Sequence, residues 1–415
     1  MRVVQKYGGS SVATAEHIKR VAAQIKMRHD AGEQVVVSVS AMGDTTDDLL
    51  ALAAHVSDHP PARELDVLLS TGEIVSSALL SMALADLGVD AVSLSGPQAG
   101  IRTDSVYRRA RIAGIDTVRL EHELAAGRVV IVAGFQGLAD NLDVVTLGRG
   151  ASDTTAVALA AALVADTCEI YTDVAGVFTA DPRICPDARP LLDIGYEEML
   201  EMATTGARVM HARAVELGSL YGVEILVKSS FDSAAPGTLI HRETTMELGN
   251  KVRGIAHQAH VSKVTVRGVP DRPGIAATIF EPLAEANVSV DTIVQNASVE
   301  DLTDLTFTVD PGDYDAALAV VNRVAREIGA RDVVSERDLG TVSVIGTGMA
   351  SAPGYAARMF RTLFDHGINI DMISTSDIRI TCVVSADGVA EAVRALHAAF
   401  ELDRSPDEVA GAARS

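Results

Sequence analysis

The sequence predicts an α/β protein: a mostly parallel sheet with helices on both faces, followed by two small α+β modules. Three observations lead to this prediction. Short apolar runs alternate with helical segments over residues 1–245. Most of these runs end in turns rich in glycine and serine. From about residue 263 onward, the sequence repeats itself once.

Composition limits the domain count and the kinds of partner. The chain has 415 residues, too many for one hydrophobic core, so two or three domains are expected. Its formal net charge of −21 disfavours nucleic acid and membranes as partners, and an aromatic content of 4% without tryptophan offers few surfaces for base stacking. The longest apolar run, Ala156–Ala165, is too short to span a bilayer, and no signal peptide is recognised.

Cysteine usage indicates the compartment. The three cysteines are scattered and lie outside any CxxC pattern, which fits a reducing cytoplasm. Neither a disulfide framework nor a zinc site is expected, and no metal-ligating residues are predicted.

The chain opens with a predicted βα unit. Val3–Lys6 is expected to form a short strand and Thr14–Asp30 an amphipathic helix, with the turn Gly8-Gly9-Ser10-Ser11 between them. Lys6 then lies at the carboxyl end of a strand, where open α/β sheets bind ligands. Two interpretations stay open for Lys6: a contact with an anion, or a solvated strand end.

The same alternation continues along the chain. Further strands are expected at Gln34–Ser40, Val92–Leu94 and Val129–Ala133. The run Ser70-Thr71-Gly72-Glu73 is expected to open a helix over Ile74–Leu87. Glu73 is then either an ordinary first-turn carboxylate favoured by the helix dipole or a functional group.

The run Thr146–Thr155, Thr-Leu-Gly-Arg-Gly-Ala-Ser-Asp-Thr-Thr, contains the densest set of potential ligand-binding groups. Its two glycines let the backbone approach a ligand closely, and the planar guanidinium of Arg149 suits a carboxylate or phosphate. Ser152 and Asp153 are expected at a helix N-cap, where backbone amides attract anions. The alternative is a plain cap after a tight turn. The run is neither a P-loop nor a dinucleotide fingerprint, because it lacks Gly-Lys-Ser/Thr and the third glycine.

Polar side chains also follow the later strands. Thr172 and Asp173 end the predicted strand Cys168–Asp173, and Lys228 follows the predicted strand Ile225–Val227. Cations at such strand ends can hold phosphates while a neighbouring loop covers a base.

The C-terminal part repeats internally. Aligning Pro273 with Pro353 also aligns Gly274 with Gly354. Each copy is predicted to run strand, Pro-Gly turn, helix, strand, strand, helix. The turns precede helix N-termini, which favours binding of an amino-acid carboxylate; the alternative is that they only shape the module.

Together these features resemble aspartate kinase, in the amino-acid kinase family, of the monofunctional type with two C-terminal ACT (βαββαβ) domains. The resemblance covers essentially the whole chain. It rests on the two Pro-Gly turns and on six ordered motifs: Lys6-Tyr7-Gly8-Gly9-Ser10, Ser40-Ala41-Met42-Gly43, Ser70-Thr71-Gly72-Glu73, Gly148-Arg149-Gly150-Ala151-Ser152-Asp153, Tyr171-Thr172-Asp173-Val174 and Thr179-Ala180-Asp181-Pro182-Arg183. It implies a catalytic domain at 1–245, a linker at 246–262, a first ACT domain at 263–339 completed by 401–412, and a second at 340–400.

The resemblance implies MgATP-dependent phosphorylation of the L-aspartate side-chain carboxylate to 4-phospho-L-aspartate, with ATP and Mg²⁺ as cofactors. This step leads toward lysine, threonine, methionine and diaminopimelate, and lysine and/or threonine would inhibit it through the ACT domains. A cytoplasmic dimer or tetramer joined through ACT domains is expected, with a shorter regulatory chain from an internal start as one possible partner. Two alternatives stay open: a glutamate or N-acetylglutamate kinase, and a catalytically impaired ACT-type amino-acid sensor.

Carried over position by position, the resemblance assigns roles to residues of this chain. The catalytic residues would be Lys6, Arg149 and Asp153. Aspartate would contact Thr46, Glu73, Arg149, Gly150, Ser152 and Asp153. The nucleotide would contact Lys6, Tyr7, Gly8, Gly9, Thr172, Asp173, Phe178, Asp181, Arg183, Lys228 and Ser229. Effectors would contact Asp271, Gly274, Ala276, Ser289, Asp291, Gln295, Gly354, Asn369 and Ile370.

Three positions depart from the family pattern. Ser289 aligns with Asn369, whereas the family commonly has Asn in both copies. A hydroxyl reaches less far than an amide and offers fewer hydrogen-bonding groups, so weaker or absent effector binding is expected at the first copy. Ala151 and Ala175 replace a glycine and an acidic residue that are frequent in the family.

Overall fold

A computed structural model describes residues 1–148, 150–207, 209–242, 251–296, 301–350 and 352–404. The chain forms two compact units. The first unit comprises Met1–Phe178, Pro190–Thr204 and Arg208–Met246. The second comprises Thr179–Arg189, Thr205–Ala207 and Glu247–Ser415. The expected catalytic segment is therefore divided, since Thr179–Arg189 belongs to the second unit.

The first unit is built on a mostly parallel sheet. Its strands are β1 (Arg2–Tyr7), β2 (Gln34–Val39), β3 (Ala91–Leu94), β4 (Ile101–Thr103), β5 (Ile112–Ile115), β6 (Val129–Ala133), β7 (Gln136–Leu138), β8 (Val144–Thr146), β9 (Thr167–Thr172), β10 (Asp193–Gly195), β11 (Ile225–Ser229) and β12 (Thr238–His241). Eight strands form one sheet in the order β10-β12-β11-β9-β1-β2-β6-β3, and a small sheet has the order β5-β4-β7-β8. In the larger sheet β11 and β12 pair antiparallel and the other pairs are parallel.

Helices cover both faces of the larger sheet, as predicted. They are α1 (Ala15–Asp30), α2 (Thr45–Val56), α3 (Ala62–Asp86), α4 (Val118–Ala125), α5 (Ala151–Ala162), α6 (Tyr196–Thr204) and α7 (Ala212–Tyr221). Val3, Val35 and Ile131 pack in one core with side chains of α1 and α3. The intervening strand residues Val4 and Val36 are also fully buried, because side chains alternate between the two faces.

Helix α3 differs from its prediction. It begins at Ala62 and not near Ile74, so the run Ser70–Glu73 lies within the helix. By length and composition alone α3 is long and apolar enough to cross a membrane. However, it contacts β3, β6 and β8 and buries two carboxylates, Asp66 and Glu73, within the first unit. It is a core helix of this unit.

The second unit contains the two predicted α+β modules on one sheet. Its strands are β13 (Gly254–Pro270), β14 (Val290–Gln295), β15 (Leu302–Val309), β16 (Asp332–Ile345), β17 (Met372–Thr375) and β18 (Arg379–Ser385). Its helices are α8 (Ile275–Glu285), α9 (Tyr314–Ile328), α10 (Tyr355–Asp365) and α11 (Val389–Ala399). The sheet order is β14-β15-β13-β16-β18-β17. The repeat is confirmed, because β13-α8-β14-β15-α9 matches β16-α10-β17-β18-α11 in order.

Strand pairing corrects the expected boundaries of the modules. Residues 254–262, assigned to a linker, belong to the continuous strand β13. The first half of β13 pairs with Thr341–Ile345 of β16, so the strand that precedes the first module lies beside the second. Residues 401–404 do not complete the first module, since Leu402 is buried in the core of the second. Residues 405–412 lie outside the described residues.

Candidate active site

Three loops meet at the carboxyl edge of the parallel sheet. Because β1, β2 and β6 are neighbours, the turns that follow them lie side by side. The amide of Gly43 donates to the Gly9 carbonyl at 3.1 Å, and the amide of Gly134 donates to the Val39 carbonyl at 3.0 Å. A Cβ on Gly9 would lie 3.0 Å from the Ala41 carbonyl oxygen, so this close approach favours glycine.

An ion pair joins β1 to α5 at this edge. The Lys6 ammonium lies 2.6 Å from Asp153 Oδ1, and the side chains are only 12% and 9% exposed. Asp153 lies in the first turn of α5, where the helix dipole favours a carboxylate. The N-cap is Gly150, at φ +72°, so the expectation that Ser152 and Asp153 occupy the cap is wrong by two and three positions. The second oxygen of Asp153 accepts from the His211 amide at 3.2 Å.

Glu73 lies deep in the same site, and no cationic side chain of the described residues pairs with it. It is 3% exposed, and its Oε1 accepts from the Ala41 amide at 3.2 Å. Its Oε2 has no hydrogen-bond partner among the described residues. Burial raises the pKa of Glu73 to about 7. Neighbouring Gly72 allows this approach, because a Cβ there would lie 2.8 Å from Ala41 Cβ.

The predicted glycine loop is partly described. Gly148 and Gly150 adopt positive φ angles of +91° and +72°, conformations that glycine tolerates best. Ser152 is buried, and its carbonyl accepts from Ser38 Oγ at 3.4 Å. Arg149, to which the substrate carboxylate was assigned, lies outside the described residues. Thr46 lies in the first turn of α2, which follows the loop after β2.

Among the residues assigned to the nucleotide, Tyr7 has its side chain in the core, whereas Lys228 and Ser229 lie at the end of β11. Tyr7 is fully buried and its ring stacks on Tyr171 at a centroid distance of 4.7 Å, so its side chain faces the core. Burial raises the pKa of Tyr7 well above its usual value. The Lys228 ammonium lies 5.9 Å from the centroid of Tyr171. The hydroxyl of Ser229 accepts from two backbone amides of the following turn.

The remaining nucleotide residues lie at or beyond the end of β9. Thr172 donates its hydroxyl to Asp173 Oδ1 at 3.2 Å, and Phe178 forms a bridge with Pro190. Asp181 and Arg183 lie in the second unit and pair with each other at 2.7 Å. The Arg183 guanidinium lowers the pKa of Asp181 through this hydrogen bond.

The predicted effector residues lie in matching places in the two modules. Gly274 and Gly354, at φ +89° and +109°, are the N-caps of α8 and α10. Ser289 and Asn369 are both exposed and follow these helices. The Ser289 amide donates to Asp313 at 3.4 Å, whereas the Asn369 side chain donates to Asp371 at 3.4 Å. Of the other assigned positions, Ala276 lies on α8, and Asp291 and Gln295 lie on β14. Asp271 directly follows β13, and Ile370 lies just before β17.

Sequence reasoning missed three residues around the glycine loop. Asp66 is fully buried, and Arg213 and His211 lie at the start of α7 next to the loop. A Cβ on Gly150 would lie 2.6 Å from the His211 ring, so this ring packs directly on the loop. One signal was available: Asp66 interrupts an apolar helical run, and a carboxylate at such a position is buried only with partners.

Replacing Glu73 with Gln tests its raised pKa. Because the folded pKa exceeds the unfolded one, the folded state is destabilised as pH rises from about 4.5 to 7, and the penalty is complete above pH 7. We expect Glu73→Gln to be more stable than the wild type at pH 8 by up to about 3 kcal/mol and nearly equal at pH 4.5. Urea unfolding at both pH values measures this, with the exposed Glu64→Gln on the same helix as control. A pH-independent difference would contradict the assignment.

Sequence comparisons identify the family of both units. The amino acid kinase family model matches residues 1–229, which is more than half of the chain. ACT domain models match residues 264–326 and 342–400. The two ACT matches correspond to the two copies of the repeat.

Relatives of known function match over nearly the whole chain. The aspartokinase of Pseudomonas aeruginosa is 51% identical over 404 residues, covering 97% of this chain and 98% of the relative. Aspartokinase 2 of Bacillus subtilis is 48% identical over 407 residues, covering 98% and 99%. The solved E. coli aspartokinase III in complex with aspartate and ADP has a TM-score of 0.81 at 27% identity, covering 96% of this chain and 99% of the other. The same E. coli enzyme has also been solved with lysine and aspartate, with a TM-score of 0.73. By fold, by sequence and by the order of its domains, the chain belongs to the amino acid kinase family and, within it, to the aspartate kinases with two ACT domains.

Proposed function

We propose that the first unit transfers the γ-phosphoryl group of ATP to the side-chain carboxylate of L-aspartate, and that Lys6, Glu73 and Asp153 form the centre of this site. The observation that carries the proposal is the buried Lys6–Asp153 pair at the same sheet edge as Glu73, whose Oε2 has no hydrogen-bond partner among the described residues. The carboxylates of Glu73 and Asp153 can bind the α-ammonium group of the substrate, and the ammonium of Lys6 can bind a phosphate.

Binding of the amino acid would rearrange the charges of the site. The substrate α-ammonium would contact Glu73 and Asp153, and the positive charge would lower the pKa of Glu73 so that it ionises. As Asp153 gains the substrate ammonium as a partner, Lys6 would become available to the transferring phosphoryl group. Arg149 would pair with the α-carboxylate through its planar fork.

The transfer needs no general base. The side-chain carboxylate of aspartate is already ionised at neutral pH, so its oxygen attacks the γ-phosphorus without losing a proton. The bond from the γ-phosphorus to the bridging oxygen breaks, and ADP leaves with the electron pair. The contribution of the protein is alignment and neutralisation of charge on the phosphoryl oxygens by Lys6.

Mg²⁺ would reach the site with the nucleotide. This ion retains water ligands and binds through substrate phosphates in kinase sites, where it neutralises phosphate charge. The described residues contain no group of three or more His, Cys, Asp or Glu side chains that would form an independent metal site. An ion held mainly by phosphate oxygens needs no such group, and Asp173, which directly follows β9, would be a candidate carboxylate ligand.

The two ACT modules would supply feedback regulation. Lysine is the first candidate effector, because lysine is present in a solved E. coli relative, and threonine is the second. The exposed Ser289 and Asn369 would give the two modules unequal effector sites. Self-association through these modules and a cytoplasmic location complete the proposal.

A coupled assay of ADP release tests the reaction. The wild-type chain is incubated with MgATP and, separately, with L-aspartate, L-glutamate and N-acetyl-L-glutamate. We expect ADP release with aspartate and none with the other two compounds. Hydroxylamine should trap the product as an aspartyl hydroxamate. Release with glutamate or its N-acetyl derivative would favour another amino acid kinase, and no release with any of the three would indicate a sensor.

Lys6→Met tests the role of the ammonium. The methionine keeps the apolar stem and removes the charge, so turnover should fall by about 100-fold or more. Steady-state kinetics at saturating substrates measure this, with Lys26→Met, an exposed residue of α1, as control. If turnover fell less than tenfold, Lys6 would not have the role in phosphoryl transfer proposed for it.

Arg149→Lys tests the contact with the substrate carboxylate. The lysine keeps the charge and loses the planar fork, so we expect the aspartate KM to rise about tenfold or more while the ATP KM stays within about twofold. Initial rates over both substrate concentrations measure the two constants. An equal rise in both would place Arg149 at the nucleotide.

A further inference from the structure

We infer that Asp66 and Arg213 form a clamp on the backbone that enters the glycine loop, and that this clamp is a positioning device for the aspartate site. The clamp consists of these two side chains and the four backbone groups they bind, at Arg108, Ala110, Thr146 and Leu147. The inference rests on the proposed function, in which the loop at 148–150 borders the substrate.

Asp66 binds the loop entry from α3. Its Oδ2 accepts from the Thr146 amide at 3.1 Å and from the Arg108 amide at 2.9 Å, and its Oδ1 accepts from the Thr146 hydroxyl at 2.7 Å. The residue is fully buried. Among the described residues it has no cationic partner within 4 Å, so its charge is satisfied by these three donors. Charge-assisted bonds of this kind are about twice as strong as neutral ones.

Arg213 binds the same entry from α7. Its guanidinium donates to the Leu147 carbonyl at 2.6 Å and to the Ala110 carbonyl at 3.1 Å. No carboxylate lies within 4 Å of it in the described part of the chain. One planar fork therefore spans two carbonyls on separate segments, a geometry that the single ammonium of lysine does not reproduce.

Both side chains join the same two backbone segments, 108–110 and 146–147. These segments also bond directly, because the Ala110 amide donates to the Thr146 carbonyl at 3.0 Å. Arg108 has a φ of +66°, a conformation that costs a non-glycine residue about 1 kcal/mol or more. A Cβ on Gly148 would lie 3.2 Å from the Arg108 carbonyl. The clamp thus holds a strained turn closely against the first glycine of the loop.

The position of the clamp connects it to substrate binding. Leu147 and Gly148 directly precede the loop residues assigned to the substrate, and the chain then enters α5 with Asp153 in its first turn. A displacement of about 1 Å in a substrate-positioning group can cost about 100-fold in rate. Asp66 is fully buried and Arg213 is half-buried, and both direct their charged groups at the backbone of this loop entry.

Kinetics of Arg213→Met and Arg213→Lys test the inference. We expect kcat/KM for aspartate to fall by about tenfold or more in both variants, while the ATP KM stays within about twofold of the wild type. Arg128→Met is the matched control: Arg128 pairs with Glu123 and Asp90 away from the loop, and its loss should leave both constants unchanged. Rescue by lysine would show that only the charge of Arg213 matters and would overturn the clamp. If thermal stability and kcat/KM for aspartate fell while the ATP KM rose in parallel, Arg213 would have only a structural role. That result would also overturn the clamp.

Thr146→Val tests the Asp66 side with a smaller change. It removes the hydroxyl bonded to Asp66 and keeps the shape of the side chain and the Thr146 amide. We expect a rise in the aspartate KM of about threefold or more, and faster hydrogen exchange of amides 144–148 by mass spectrometry in Thr146→Val and Arg213→Met. The exchange measurement needs no substrate, so it also tests the clamp if the wild type does not phosphorylate aspartate. Unchanged exchange in both variants would contradict the clamp, whereas an inactive wild type would contradict the proposed function alone.

Discussion

The Lys6–Asp153 ion pair is the interaction on which the candidate site depends. It connects the end of β1 to the first turn of α5 over 2.6 Å, and both side chains are mostly removed from solvent. Loss of either partner would leave the other, largely buried charge without its ion-pair partner, which is destabilising. The fold maintains this geometry because β1, β2 and β6 end at one edge of a parallel sheet and glycines let their turns approach closely.

The distribution of charge explains how an acidic chain can bind anions. A net charge of −21 opposes anionic ligands at long range, so recognition has to come from nearby groups. At the site these groups are Lys6, the amides of the α5 N-terminus and, by assignment, Arg149. Glu73 would bind the positively charged end of the substrate instead. Burial raises the pKa of Glu73 to about 7, and a bound ammonium group would lower it again.

Much of the architecture could be predicted from the sequence, because apolar periodicity and glycine turns report directly on the alternation of strands and helices. The parallel sheet, the strand-end location of Lys6 and the tandem α+β modules follow from such local signals. The long α3, the N-cap at Gly150 and the pairing of β13 with the second module could not be predicted, because tertiary contacts decide them. Asp66 and Arg213 were missed for the same reason: their partners are backbone groups that are distant in sequence.

The central claim is that Glu73 receives the substrate ammonium and ionises when aspartate binds. Calorimetric titration of aspartate at pH 7, in two buffers with different ionisation enthalpies, measures the protons released on binding. In the protein without substrate the pKa of Glu73 is about 7, so about half of the Glu73 side chains carry a proton at pH 7. We predict that aspartate binding releases up to about half a proton from the wild type. Glu73→Gln should release clearly less and bind aspartate more weakly. Equal proton release and equal affinity in the two proteins would contradict the account.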